Sequence, residues 1–151
     1  MKFNEIEIDL LNSAYQVFVG RTHIFDVFKP SKWENTGFEN WVQTELTVGL
    51  IDRDYEVTTE GKIRRGCDII VENKNKGLNF GIEIKAFTSA WTQGLINGIK
   101  EHPKADLYLF LSQFDKDEFE QLETYFQKNG YINKYRLFKD WFVMLVKKES
   151  R

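Results

Sequence analysis

The side chains best suited to chemistry lie on either side of a short polar loop, at Asp68, Glu83 and Lys85. If the two flanking segments form a hairpin whose loop is centred on residues 74–77, Asp68 lies opposite Glu83. Opposed residues of antiparallel strands have Cβ atoms about 4.5–5.5 Å apart. Because side chains alternate between the two faces of a strand, Lys85 shares the face of Glu83. The spacing therefore predicts two acids and one base close together.

Two carboxylates held this close repel each other unless a cation lies between them. Hard oxygen ligands of this kind suit Mg²⁺ or Mn²⁺, which bind carboxylates together with water and substrate phosphate. Asp68 and Glu83 are thus candidate metal ligands for the attack of water on a bound phosphate. Lys85 would orient or deprotonate that water, or offset charge in the transition state. The alternative is a solvated strand face on which Lys85 pairs with one of the acids.

A third acid, Glu45, lies on the helix predicted to precede the hairpin. On a helical wheel the apolar side chains of this helix form one arc, and Glu45 falls inside it, whereas Glu39 lies at its edge. A carboxylate on a buried helix face costs roughly several kcal/mol unless it is paired or binds a cation. Glu45 is therefore expected either to point toward the same metal or to form a buried ion pair with Arg64, Arg65 or Lys85.

Hydrophobic periodicity and turn residues predict the elements that would position these side chains. Helices are expected over residues 4–19, 38–51, 89–101 and 115–128, and strands over residues 55–59, 66–71, 78–87, 106–112 and 135–146. The predicted fold class is α/β, with a mixed central sheet flanked by helices. We expect one domain over residues 1–151, in which a core over 38–112 gains an N-terminal helix (4–19) and a C-terminal helix and strand (115–147).

This set resembles the PD-(D/E)xK nuclease superfamily, whose restriction-endonuclease-like core has the order αβββαβ. Members carry a glutamate on the first core helix, an aspartate on the second strand and E-x-K or D-x-K on the third. Glu45, Asp68 and Glu83-Ile84-Lys85 occur in that order in this chain. The similarity covers residues 38–112, about half of the chain.

Two further positions bear on the resemblance. Gln93 resembles the glutamine that some members place near the site on the following helix, and an exposed helix residue is the alternative. Cys67 stands where the superfamily name has proline, a residue that members frequently lack. The resemblance implies catalysis by Glu45, Asp68, Glu83, Lys85 and Gln93, with Asp68, Glu83 and Glu45 as ligands of Mg²⁺ or Mn²⁺.

The composition indicates a globular protein and excludes several kinds of site. Hydrophobic residues make up 42% of the 151 residues, enough for a sizeable core. A single cysteine, Cys67, and two histidines, His23 and His102, exclude an intrachain disulfide, a cysteine-based zinc site and a histidine-rich metal site. Each histidine is expected at the surface or bonded to a partner. The N-terminal residues lack a signal-peptide pattern and no apolar run could span a membrane, so we expect a cytoplasmic protein.

The chain has a net charge of −2, but its middle third is basic. Residues 61–104 hold eight basic and four acidic side chains. Arg64, Arg65 and Lys74 in this stretch are expected to bind a phosphate backbone, and a solvated turn is the alternative for Arg64 and Arg65. Together with the resemblance, the sequence predicts a Mg²⁺-dependent hydrolase that cleaves DNA, and the resemblance implies a homodimer. Two alternatives stay open: a catalytically silent binding or scaffold protein that keeps the fold, and an RNA-directed nuclease.

Overall fold

The structure is a computed structural model that describes residues 2–28, 36–59, 67–73 and 78–149. Its helices are α1 (Glu5–Val19), α2 (Thr22–Phe25), α3 (Thr36–Ile51), α4 (Thr92–Glu101) and α5 (Lys116–Asn129). Its strands are β1 (Tyr55–Thr59), β2 (Ile69–Asn73), β3 (Leu78–Phe87), β4 (Leu107–Gln113), β5 (Tyr131–Phe138) and β6 (Trp141–Lys148). The architecture is mixed α/β. Within these ranges no helix is both long and apolar enough to cross a membrane.

Local sequence signals set the ends of several elements. Asn4 caps α1, because its Oδ1 accepts a hydrogen bond from the backbone N–H of Glu7 at 2.8 Å. Glu7 Oε1 in turn accepts a hydrogen bond from the N–H of Asn4 at 2.8 Å. A cap of this kind stabilises a helix by about 1 kcal/mol. At the C-terminus of α5, Gly130 has a left-handed conformation with φ 74°, and it ends the helix.

The C-terminal segment is a hairpin, so the single strand predicted over residues 135–146 is wrong. β5 and β6 pair antiparallel around a two-residue turn, Lys139-Asp140. Lys139 has φ 53°, in the left-handed region where glycine or asparagine is usual. Because the turn lacks both of these residues, the sequence shows no break in the aromatic-rich run.

A short helix, α2, lies within residues 20–36, where the sequence predicted neither a helix nor a strand. Its buried Phe25 has a ring centroid 4.5 Å from that of Trp141 and 5.6 Å from that of Phe38. A four-residue helix is too short to be stable alone. Tertiary contacts of its aromatic side chain therefore hold α2 in place, and these contacts are not visible in the local sequence.

The described strands form a six-stranded mixed sheet in the order β1-β2-β3-β4-β6-β5. β3 and β4 run parallel with α4 as their connection, and the other neighbouring pairs are antiparallel. In the β2–β3 hairpin, Ile69 pairs with Ile82, and this confirms the register predicted from the loop. Extended by one residue beyond β2, that register sets Asp68 opposite Glu83.

Helices cover both faces of the sheet. α1 and α3 pack on the face that carries Ile82 and Ile84. α4 and α5 pack on the other face, against Tyr108 and Phe110 of β4. Glu83 lies under this second layer and is only 2% exposed. The alternative of a solvated strand face is therefore wrong for Glu83.

Candidate functional site

β3 extends past the end of β2 and leaves part of its edge open. The pairing of β2 with β3 ends at Ile69 and Ile82, whereas β3 continues alongside β4 to Phe87. In the described part of the chain, residues 83–87 thus have a neighbouring strand on the β4 side alone. Their N–H groups on the open side need acceptors, because an unpaired buried amide costs about 1–3 kcal/mol. Two carboxylates meet this need.

Asp68 supplies the first acceptor. Its backbone N–H donates to the carbonyl oxygen of Ile82 at 3.0 Å, and its Oδ2 accepts the N–H of Ile84 at 2.8 Å. The side chain thereby continues the hairpin ladder by one step where β2 has not yet begun. It also holds a negative charge beside the carboxyl group of Glu83, as the hairpin register predicts.

Glu39 of α3 supplies the second acceptor. The N–H of Ala86 donates a hydrogen bond to the Glu39 carboxylate, and Glu39 Oε1 lies 3.6 Å from Lys85 Nζ. Burial raises the pKa of Glu39, the positive charge of Lys85 opposes that rise, and the negative charge of Asp68 adds to it. Glu39 is thus the helix acid that faces the hairpin acids.

Glu83 is the buried centre of the group. Its Oε2 lies 3.2 Å from His102 Nε2 and 3.9 Å from Lys85 Nζ. Its Oε1 is buried and has no hydrogen-bond partner among the described residues. Burial, followed by the negative charge of Asp68, raises the pKa of Glu83 to about 9 despite the opposing charge of Lys85. Glu83 therefore holds a proton at neutral pH.

Lys85 joins the acids of two elements. Its Nζ lies within 4 Å of Glu39 on α3 and of Glu83 on its own strand, as expected for residues that share a strand face. Its side chain is 20% exposed, so part of it is open to solvent. An ammonium carries three hydrogen-bond donors. Lys85 can therefore hold both acids and still offer a donor to a substrate.

His102 is a member of the group that sequence reasoning missed. It lies at the C-terminal cap of α4, where Tyr108 Oη donates to its carbonyl oxygen at 2.7 Å. His102 was expected at the surface or bonded to a partner, and the structure gives it a partner, Glu83. The position of His102 in the sequence could have indicated this contact. A helix that connects two parallel strands runs back along the first strand, so its last residues lie near the start of both strands.

Glu45 does not join the group. Its Oε2 lies 3.5 Å from Arg21 Nε, and its side chain is 32% exposed. The expected burial of this carboxylate is therefore wrong, and Arg21 was not among its expected partners. The helix acid that the structure brings near Glu83 is Glu39, and not the expected ligand Glu45.

The buried stripe of α3 explains the different environments of the two helix acids. Its fully buried residues are spaced four apart: Phe38, Val42, Leu46 and Leu50. Val48, which the wheel included in the apolar arc, is exposed. At about 100° per residue, Glu39 lies on one flank of this stripe and Glu45 on the other. Only the flank with Glu39 faces the open edge of β3.

Gln93 lies on the exposed side of α4. Its Nε2 donates a hydrogen bond to Oδ1 of Asn97, one helical turn further along, at 2.8 Å. Neither side chain has a described contact with Glu83 or Lys85. The structure thus places Gln93 as in the alternative interpretation, an exposed helix residue.

Cys67 directly precedes Asp68 in the chain. Cys67 is buried, with Sγ 3.4 Å from the carbonyl oxygen of Ile69. Arg64, Arg65 and Lys74 lie outside the described residues. Their contact with a phosphate backbone therefore stays a prediction.

The oxygen atoms of Asp68 and Glu83 fit a hard cation. The two carboxyl groups are neighbours, and Oε1 of Glu83 is a buried oxygen without a partner in the described ranges. Among the described residues, no three His, Cys, Asp or Glu side chains form a ready-made metal site. Mg²⁺ commonly takes only one or two protein carboxylates and completes its shell with water and phosphate. Asp68 and Glu83 are therefore the pair that could hold it.

Comparisons of the chain with models of known protein families, with curated proteins and with solved structures find no match. The inference of function therefore rests on the geometry of Asp68, Glu83, Lys85 and Glu39.

Proposed function

We propose that the chain is a Mg²⁺-dependent nuclease that hydrolyses DNA phosphodiester bonds, with a restriction-endonuclease-like core formed by α3, β1, β2, β3, α4 and β4. The order of a helix, three antiparallel strands, a helix and a parallel strand supports this core. One observation carries the proposal: Glu39 of α3, Glu83 and Lys85 of β3, and Asp68 just before β2 meet at the open edge of β3.

The position and charge of each side chain indicate its role. Asp68 and Glu83 are the residues that would hold the cation, which supplies Lewis-acid stabilisation of the phosphate when bound. Lys85 donates hydrogen bonds from its ammonium to the attacking water or to a phosphate oxygen, and so orients it. Glu39 holds that ammonium from α3, so that it stays between the helix and the strand.

The proposal predicts that purified protein cleaves DNA with Mg²⁺ or Mn²⁺ and does not cleave it with EDTA. Asp68→Ala, Glu83→Ala and Lys85→Ala should each lower the rate by about a hundredfold or more, since each removes a group that acts on the phosphate. Gel assays with plasmid, linear, single-stranded and branched DNA, and with RNA, measure this.

Each possible result of the cleavage assay leads to a different conclusion. Cleavage of RNA alone would make RNA the substrate, and no cleavage of any nucleic acid would leave the silent alternative. Alanine variants that cut as fast as the wild type would show that the site has been assigned to the wrong residues.

Glu39 and Glu45 offer a matched pair of variants on one helix. Glu39→Gln is expected to lower the single-turnover rate about tenfold or more, because Lys85 loses its ion-pair partner on α3. Glu45→Gln should keep the wild-type rate, because its carboxylate pairs with Arg21. Both variants remove one negative charge, so the comparison isolates position. A loss confined to Glu45→Gln would return the role of helix acid to Glu45.

One observation favours the catalytically silent binding or scaffold protein. Asp68 and Glu39 each accept a backbone N–H of β3, from Ile84 and Ala86, so these acids have a structural role that needs no metal. Thermal melts separate the two functions. A metal site raises the melting temperature as free Mg²⁺ increases, whereas a silent protein melts at the same temperature with Mg²⁺ or EDTA.

A further inference from the structure

α4 packs on β3 with a regular repeat of contacts. The helix returns along the strand, and three contacts show the match: Gly94 with Phe87, Gly98 with Lys85, and His102 with Glu83. The helix positions are four residues apart and the strand positions two apart. Four helical residues rise about 6 Å and two strand residues about 6.6 Å, so the two repeats stay in step. One stripe of α4 therefore packs on the strand face that carries Glu83 and Lys85.

Because Gly98 has no side chain, the side chain of Lys85 can occupy the space beside it. A Cβ placed on Gly98 would lie 2.6 Å from Cγ of Lys85, 3.3 Å from Cδ and 3.1 Å from Cε. The methylene chain of Lys85 thus lies flat across the backbone of α4. Cγ is near the root of the side chain, so it cannot yield to a methyl group without a change of rotamer that also moves Nζ.

The helix itself gives no reason for a glycine at this position. Gly98 lies in the interior of α4, where alanine is more favourable because glycine loses more backbone freedom on folding. A larger residue would improve the helix and displace Lys85. The close approach of the strand residue accounts for the glycine.

We propose that Gly98 is a positioning residue for Lys85, and that the lack of a side chain there fixes the ammonium between Glu39 and Glu83. The effect on catalysis rests on the nuclease function proposed above. The effect on the position of Lys85 does not depend on that function, and the two are tested separately.

A double-mutant cycle tests the contact without an activity assay. Gly98→Ala is expected to lower the melting temperature of the wild type, because the new methyl group meets Lys85. In a Lys85→Ala background the same change is expected to raise the melting temperature, since alanine then favours the helix without a clash. Equal effects of Gly98→Ala in the two backgrounds would overturn the proposal.

Gly49→Ala is the matched control for this cycle. It is also a helical glycine, and a Cβ there would lie 2.2 Å from Cγ2 of Val17, on the opposite side of the sheet from α4. It is expected to lower the melting temperature by a similar amount in both backgrounds. A control that also depends on Lys85 would show that the cycle reports general destabilisation, which would count against the proposal.

A second measurement follows Lys85 itself. Reductive methylation with ¹³C-formaldehyde labels the lysine amines, and the Lys85 signal is the one missing from Lys85→Arg. Its NMR chemical shift is expected to change in Gly98→Ala and to stay constant in Gly49→Ala. An unmoved signal in Gly98→Ala would contradict the proposal even if the Lys85→Ala variants did not fold.

The effect of Gly98→Ala on catalysis is measured separately from its effect on stability. Gly98→Ala is expected to lower kcat about tenfold with little change in KM, because the reacting group moves while contacts with the rest of the substrate remain. If the wild type cleaves nothing, the nuclease function fails and the cycle and the NMR signal still decide the positioning. A shifted signal with unchanged kcat would overturn the catalytic role of this position.

Discussion

The variant Glu83→Gln is expected to be more stable than the wild type at neutral pH, by an amount that increases with pH. Burial and the charge of Asp68 raise the pKa of the Glu83 carboxyl to about 9 in the folded protein, from an ordinary 4.5. Glutamine resembles protonated glutamic acid in size and hydrogen bonding, but it does not titrate. The variant therefore keeps the form that the fold prefers at every pH.

The sign of the effect follows from proton binding in the two states. Between pH 4.5 and about 9, Glu83 holds its proton in the folded protein and has lost it in the unfolded chain. Since the unfolded state binds fewer protons, wild-type stability falls as the pH rises, by up to about 1.4 kcal/mol per pH unit. The stabilising contribution is complete below pH 4.5 and is lost as the pH passes the folded-state pKa. Glu83→Gln lacks this loss.

Urea unfolding in EDTA at several pH values from 5 to 8 measures the difference between the two proteins. The free energy of unfolding should separate by about 1 kcal/mol for each pH unit. Glu45→Gln is the control for the loss of one carboxylate outside this group, because the Glu45 side chain is 32% exposed and pairs with Arg21. A constant difference for Glu83→Gln would show that Glu83 is ionised in the folded protein.

The parts of the site that depend on local structure could be predicted from the sequence. The register of the hairpin depends on its loop and on the alternation of side chains, and Ile69 pairs with Ile82 as predicted. That register places Asp68 beside Glu83, and alternation places Lys85 on the same face as Glu83. These three residues meet because β2 and β3 are neighbours in the chain.

The burial of Glu83 depends on elements far along the chain and could not be predicted locally. α4 and α5 cover its face of the sheet, and the end of α4 brings His102 to its carboxyl group. The alternation from Ile82 to Lys85 is the same for an exposed strand face as for a covered one. Sequence reasoning therefore finds the acid but not its environment, and the environment sets its pKa.

The choice between Glu39 and Glu45 depends on how α3 is rotated against the sheet. Both acids flank the same buried stripe, so a helical wheel cannot tell which flank faces β3. Arg21, just before α2, pairs with Glu45, and Phe25 of α2 packs 5.8 Å from the ring of Trp41. Because α2 was not predicted, the sequence offered no partner for Glu45 on that flank.

Binding of Mg²⁺ is expected to tighten about tenfold for each rise of one pH unit between pH 6 and 8. A cation that takes Glu83 as a ligand needs the carboxylate, whereas the folded protein keeps the proton until about pH 9. Each Mg²⁺ bound at pH 7 should therefore release close to one proton. The same behaviour is expected of Mn²⁺, which prefers similar oxygen ligands.

Titration calorimetry in buffers of different ionisation enthalpy counts the released protons, and titrations at several pH values give the Kd. Glu45→Gln should match the wild type in both respects. A Kd that is independent of pH would exclude Glu83 as a ligand. No binding of either cation at millimolar concentration would remove the metal site altogether.

Asp68→Asn separates the charge of Asp68 from its hydrogen bond. The amide oxygen can still accept the N–H of Ile84, so the edge of β3 stays capped. Because the charge of Asp68 is second only to burial in raising the pKa of Glu83, the variant should lower that pKa. Without metal it should melt at a higher temperature than the wild type at neutral pH, because a smaller rise in the pKa of Glu83 lowers the cost of burying this carboxyl group. It should bind Mg²⁺ weakly and release fewer protons at pH 8. A less stable Asp68→Asn whose melting is indifferent to Mg²⁺, as for the wild type, would show that this carboxylate serves the strand edge alone.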